Sequence, residues 1–188
     1  PSPLTHGWTF TDPVTPTPLN PDADRPHDAM YRDMIRYADL LIGRLVDHLR
    51  EQGILERTII FAGTDNGSEK SFSARCCGRV VRGGLYQMTE PGGNVPMIVY
   101  GPGLVSGGRT LKLADFSDFL PTFCELAGAP LPSGVTLDGR SFARTLLDPS
   151  VPEPRQWIFN QHHQERVVSD GRFKLYRDSR LFDLASDV

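Results

Sequence analysis

Thr58-Ile59-Ile60-Phe61-Ala62-Gly63-Thr64-Asp65-Asn66-Gly67 is the stretch on which the reading of the fold turns. An apolar run typical of a buried strand passes directly into an acid–amide–glycine bend. In an open α/β sheet, ligands gather where the chain leaves the carboxyl ends of the strands. A carboxylate and an amide oxygen delivered side by side at such an exit suit a hard divalent cation, which takes oxygen ligands. Gly67 is expected to let the backbone turn away at positive φ without a Cβ clash. Asp-Asn-Gly also closes ordinary turns, so these ten residues alone leave turn and site both open.

Upstream, the spacing predicts one amphipathic helix over Asp28 to Gln52. Met30, Met34, Ala38, Leu41, Leu45 and Leu49 recur at three- and four-residue intervals, and Ile35, Ile42 and Val46 widen the stripe. Asp28 is placed to cap its start and Gly53 to stop it. Downstream, Met97 to Tyr100 is a second short apolar run, and Pro96 fits a strand entrance because it lacks a backbone donor. Asp115 to Gly128 reads as a helix with Pro121 early in it, where proline is tolerated. Trp157-Ile158-Phe159 and Arg166-Val167-Val168 read as strands, with Asp170-Gly171 turning Val167 to Tyr176 into a hairpin. The proline cluster from Pro149 to Pro154 is a connector. The expected fold class is α/β. Residues 1–150 would hold part of a mainly parallel sheet flanked by helices, with 1–27 as a proline-rich loop, and 151–188 a small antiparallel sheet.

At 188 residues the chain is long enough for one proper core. A formal net charge of −3 provides no basic face, which argues against a nucleic-acid partner. No apolar run approaches the roughly 20 residues needed to cross a bilayer as a helix. Three cysteines, an odd number, decide nothing about redox compartment. Cys124 falls on the predicted 115–128 helix and reads as a small buried hydrophobe. The five histidines are unequal: His27, His48, His162 and His163 read as structural or exposed, and the adjacent pair His162-His163 would point its rings to opposite faces of a strand.

Tyr37-Ala38-Asp39 through Gly43-Arg44-Leu45-Val46, followed by Thr58 to Gly67, resembles the sulfatase family of the alkaline-phosphatase superfamily. The resemblance continues in order through Asn94 to Gly103, Asp115 to Gly128, Leu137-Asp138-Gly139-Arg140-Ser141, Ser169 to Tyr176 and Leu181-Phe182-Asp183-Leu184. It implies an alkaline-phosphatase-like sheet and a sulfuric ester hydrolase. Asp65 and Asn66 would supply two ligands to a Ca²⁺ or Mg²⁺. Pro3-Leu4-Thr5-His6-Gly7 resembles the loop that brings a histidine to the substrate sulfate, so His6 would stabilise sulfuryl oxygens or protonate the leaving oxygen. Many sulfatases carry a sulfate-binding lysine near the segment Val81 to Gly93. An ungapped register puts Leu85 at that position; a short insertion after Tyr86 would put Arg82 there.

No cysteine or serine stands here in the Cys/Ser-x-Pro-x-Arg setting that yields the formylglycine nucleophile. The resemblance therefore implies a C-terminal portion, with formylglycine and the remaining metal ligands in a missing N-terminal part. It also implies a periplasmic or secreted protein acting on a sulfated small molecule or carbohydrate. Two alternatives stay open: a phosphomonoester or phosphodiester hydrolase of the same superfamily, and a non-catalytic sulfate- or carbohydrate-binding relative, to which Leu85 points. Oligomeric state is not legible.

Overall fold

The computed structural model describes residues 8–9, 17–18, 27–76, 78–152 and 154–186. Two short strands, β1 (Trp8–Thr9) and β2 (Thr17–Pro18), pair antiparallel ahead of helix α1 (His27–Glu51). The helix begins at His27, so Asp28 lies in its first turn rather than at the expected cap. It ends as the sequence proposes. Gly53 takes φ 67, and the N–H groups of Gly53 and Ile54 return to the carbonyls of Arg50 and Leu49. That pair of bonds is a Schellman closure.

The two ends of α1 are fastened. Tyr31 packs on Phe72, ring centroids 4.5 Å apart, and the helical turn Leu55–Arg57 just beyond α1 buries Leu55. The middle of its apolar stripe is open, with Leu41, Ile42 and Leu45 each more than 40 % exposed.

Strand β3 (Ile60–Gly63) leads into the Asp65 bend. A hairpin of β4 (Ser73–Cys76) and β5 (Arg79–Arg82) follows, then a single helical turn α2 (Glu90–Gly93) and strand β6 (Met97–Tyr100). The expected parallel relation of the two apolar strands is not what forms. β3 and β6 pair antiparallel, with Ile60 opposite Tyr100 and Gly63 opposite Met97. The cause lies in the connection. A parallel pair needs a crossover that carries the chain back to the starting end of the sheet. Residues 64–96 instead leave and return at the same end, as a hairpin and a single turn. Every strand pair among the described residues is antiparallel.

Helix α3 (Phe119–Ala127) covers β3. Phe61 meets Phe123 at 4.9 Å, Phe119 at 6.1 Å and Phe142 at 6.4 Å, all in tilted edge contacts of the kind aromatic quadrupoles favour. Asp115 opens the segment with a capping box. Its side chain accepts from Ser117 while the Asp118 carboxylate reaches back to the Asp115 N–H. Thr122, fully buried, accepts the N–H of Phe142 and donates to the Asp118 carbonyl, tying α3 to the start of α4 (Ala143–Leu147).

The chain ends in a four-stranded antiparallel sheet of β7 (Ile158–His162), β8 (Glu165–Ser169), β9 (Phe173–Tyr176) and β10 (Leu181–Asp183), in spatial order β10-β9-β8-β7. Gly171 at φ 90 makes the β8–β9 turn, and Asp170 bonds Arg172 and Phe173 across it. Two contacts seat this sheet on the 84–94 segment. Lys174, 5 % exposed, reaches Glu90 at 2.7 Å, and the Tyr176 hydroxyl donates to the Met88 carbonyl at 2.8 Å.

Candidate active-site loop

Asp65 and Asn66 lie in an exposed bend directly after β3. Five other aspartates (Asp115, Asp148, Asp170, Asp178 and Asp183) fold their carboxylates onto the backbone N–H two residues on. That is the ordinary Asx turn. Asp65 does not do this. Among the described residues neither Asp65 nor Asn66 makes a side-chain hydrogen bond or ion pair. Two oxygen donors are thus presented without an internal partner, and as a donor set they fit a hard cation. Among the described residues no group of three or more His, Cys, Asp or Glu converges as a metal cluster, so these two would be part of a ligand set completed elsewhere.

The bend is tied from behind by hydrogen bonds. The Gly67 N–H bonds the Gly92 carbonyl and the Leu85 N–H bonds the Ser68 carbonyl, both at 3.0 Å. Tyr31 of α1 shares a 2.6 Å hydrogen bond with the Ser68 hydroxyl. Gly67 does not take the positive φ expected of it. It is glycine for a different reason: a Cβ there would sit 1.7 Å from the Pro91 carbonyl oxygen. Gly84 and Gly92 also leave no room for a side chain, with hypothetical Cβ contacts of 2.5 Å to the Gly92 nitrogen and 2.0 Å to the Gln87 carbonyl oxygen. Three glycines therefore let two loops lie backbone against backbone.

The remaining sequence candidates are distributed unevenly. His6 lies outside the described residues. Arg82 ends β5 with its Nε on the Lys70 carbonyl at 2.6 Å, and its terminal nitrogens have no partner among the described residues. Leu85 is half-buried beside Ser68, its backbone pinned there. The structure thus brings Asp65, Asn66 and the Leu85 segment onto two joined loops, and directs Arg82 to the next part of the 64–72 loop.

One cluster escapes the sequence reading. Tyr86 is 71 % exposed and takes φ 65, a left-handed conformation costing a non-glycine residue about 1–2 kcal/mol. Its ring stacks on His162 at 5.6 Å and 22°. His162 and His163 do not point apart: their rings meet edge-on at 4.3 Å. Strand alternation ends at His162, and His163 turns at φ 53, which folds the second ring back. The only sequence signal for this cluster is the Gly83-Gly84 pair ahead of Tyr86, which marks a loop but names no neighbour for the ring.

A family model described as Sulfatase matches residues 5–129. Arylsulfatase A of Homo sapiens is 36% identical over 138 residues, covering 73% of this chain and 27% of that protein. Arylsulfatase K of Bos taurus is 26% identical over 180 residues, covering 85% and 31%. Among solved structures, the PsFucS1 sulfatase from Pseudoalteromonas sp. superposes with a TM-score of 0.63 at 27% identity, covering 84% of this chain and 34% of that one. The structure of BT4656 in complex with its substrate D-glucosamine-2-N,6-O-disulfate gives 0.64 at 24% identity and the same coverage, a likeness of fold. The chain thus spans between 27% and 34% of the length of these proteins.

Proposed function

The chain belongs to the sulfatase family, and from that premise we propose that it is the part of a sulfuric ester hydrolase that carries Asp65 and Asn66 as two ligands of a Ca²⁺ or Mg²⁺. The observation that carries the reading is the pair of oxygen-bearing side chains, unpartnered among the described residues, on a loop locked by Gly67, Gly84 and Gly92. When bound, such a cation supplies Lewis-acid polarisation of a sulfate oxygen.

The chain's own residues do the rest of the work proposed here. The Asp65 carboxylate and Asn66 amide fix the ion's position relative to β3. Arg82, anchored through Nε, offers its two terminal nitrogens to an anionic oxygen. His6 gives a proton to the departing alcohol oxygen. The formylglycine nucleophile is supplied from outside these residues. The substrate class we propose is a sulfated carbohydrate, supported by the sulfated glucosamine bound to the BT4656 relative. Export to the periplasm or cell exterior goes with that reading.

The test is turnover by the full-length protein. Sulfate release from 4-nitrophenyl sulfate and from glucosamine 6-sulfate should require Ca²⁺ or Mg²⁺ and stop with a chelator. Release of phosphate from 4-nitrophenyl phosphate, with none from either sulfate ester, would move the enzyme to the phosphoester branch. Activity untouched by exhaustive chelation would remove the metal from the reading.

A further inference from the structure

We propose that Tyr86, backed by His162, is the ledge on which the sugar ring carrying the sulfate rests; this deepens the sulfatase reading and rests on it. The side chain sits on a loop that is otherwise fixed. Its neighbour Leu85 is bonded to Ser68, two residues past Asn66, and Gly84 lies against Gly92. On that fixed loop one large aromatic ring is left 71 % exposed.

The ring is also braced rather than loose. His162 stacks on it from a different element, and His163 abuts His162 edge-on. The sheet bearing both histidines is clamped to the same loop by Lys174 on Glu90 and Tyr176 on Met88. Tyr86 and His163 both hold left-handed φ values, and those two account for all but Ser179 of the positive-φ non-glycine residues among the described residues. Strain of this kind persists where surrounding structure enforces it and clusters at ligand clamps. A flat, exposed, braced aromatic face beside the Asp65–Asn66 loop suits the apolar C–H face of a pyranose. The phenol and imidazole edges offer donors and acceptors to its hydroxyls. The sulfate would be read by the Asp65 side of the loop pair and its carrier by the Tyr86 side.

The experiment uses the full-length enzyme with glucosamine 6-sulfate as substrate, and glucosamine and inorganic sulfate as separate inhibitors. Tyr86→Ala should raise KM for the sugar sulfate and Ki for glucosamine by about tenfold, with Ki for inorganic sulfate unchanged. Tyr86→Gly removes the ring and relieves the left-handed backbone. It should give the same two shifts with no loss of melting temperature, which separates the ledge from a folding defect. KM within about twofold of wild type in both variants overturns the ledge. So does an equal weakening of inorganic sulfate, or turnover of 4-nitrophenyl sulfate with none of the sugar sulfate. If the wild type releases sulfate from no ester, the sulfatase reading fails instead. The ledge is then judged by saturation-transfer NMR of glucosamine, where absent signals with wild type, or equal signals with wild type and Tyr86→Ala, overturn it.

Discussion

Asp118 and Arg155 form an ion pair that is buried on both sides, 1 % and 7 % exposed, and joins the start of α3 to the strand-rich end of the chain. Arg155 donates through Nε at 2.8 Å and through Nη2, and also reaches the Asp138 carbonyl and the Ser117 hydroxyl. The same carboxylate takes the N–H groups of Asp115 and Arg140. The carboxylate raises the guanidinium above its ordinary value, chiefly through their hydrogen bonds, so Arg155 stays charged.

Removing one member leaves the other charged and dry. Arg155→Ala is expected to destabilise by about 3–5 kcal/mol, the usual consequence of orphaning a buried charge. Combining Arg155→Met with Asp118→Asn should recover part of that loss. Chemical denaturation of the two variants measures it; an Arg155→Ala curve superimposing on wild type would show that the pair has no structural role.

The two joined glycine loops make a second expectation. Gly67→Ala places a Cβ 1.7 Å from a backbone oxygen, which cannot swing aside as a side-chain tip would. The loops must separate, at about 1–3 kcal/mol by analogy with overpacked cores. Because Asp65 rides on the displaced segment, the variant should also lose metal-dependent turnover. A stable Gly67→Ala protein with wild-type turnover would mean the loops are not locked.

What the sequence made legible was local. The β3 run, its polar exit and the Gly53 stop of α1 depend on neighbours in the chain, and each lies where periodicity and turn chemistry put it. Strand direction did not follow, because it is decided by where residues 64–96 bring the chain back, not by the apolarity of β3 or β6. The role of Gly67 was misassigned since a glycine required for close approach and one required for positive φ look alike in one sequence. The His162–His163 contact was missed because alternation holds only inside a strand, and the strand ends at His162. The open stripe of α1 marks the same limit: spacing says that Leu41 and Leu45 share a face, not what covers it.

Tyr176 supplies a pH-dependent expectation. Burial raises its pKa above the ordinary value of 10.0, and its hydroxyl donates to the Met88 carbonyl. The folded pKa lies above the unfolded one, so the associated stability is fully present below pH 10 and is lost as pH rises through the folded value. Tyr176→Phe should lose about 0.5–1.5 kcal/mol near neutrality, the net worth of one hydrogen bond. Its deficit against wild type should shrink above pH 10. Urea melts at pH 7 and 11 measure this, and a deficit that grows with pH would reverse the sign argued here.

Asp65 carries the sharpest separation of stability from function. Its carboxylate is exposed and unpartnered among the described residues, so its removal breaks no internal contact. Without metal, Asp65→Ala should therefore melt within about 0.5 kcal/mol of wild type, as surface substitutions do. With metal the two should diverge. A ligand bound only to the folded state stabilises by RT ln(1 + [L]/Kd), about 2.7 kcal/mol at one hundred times Kd. Wild-type full-length protein should gain stability on that scale as Ca²⁺ or Mg²⁺ is added, while Asp65→Ala gains little and retains less metal after desalting. Thermal melts across a cation titration, with metal content measured by atomic emission, give both readouts without an activity assay. Equal cation-dependent shifts in the two proteins would take Asp65 out of the ligand set and return its bend to an ordinary turn.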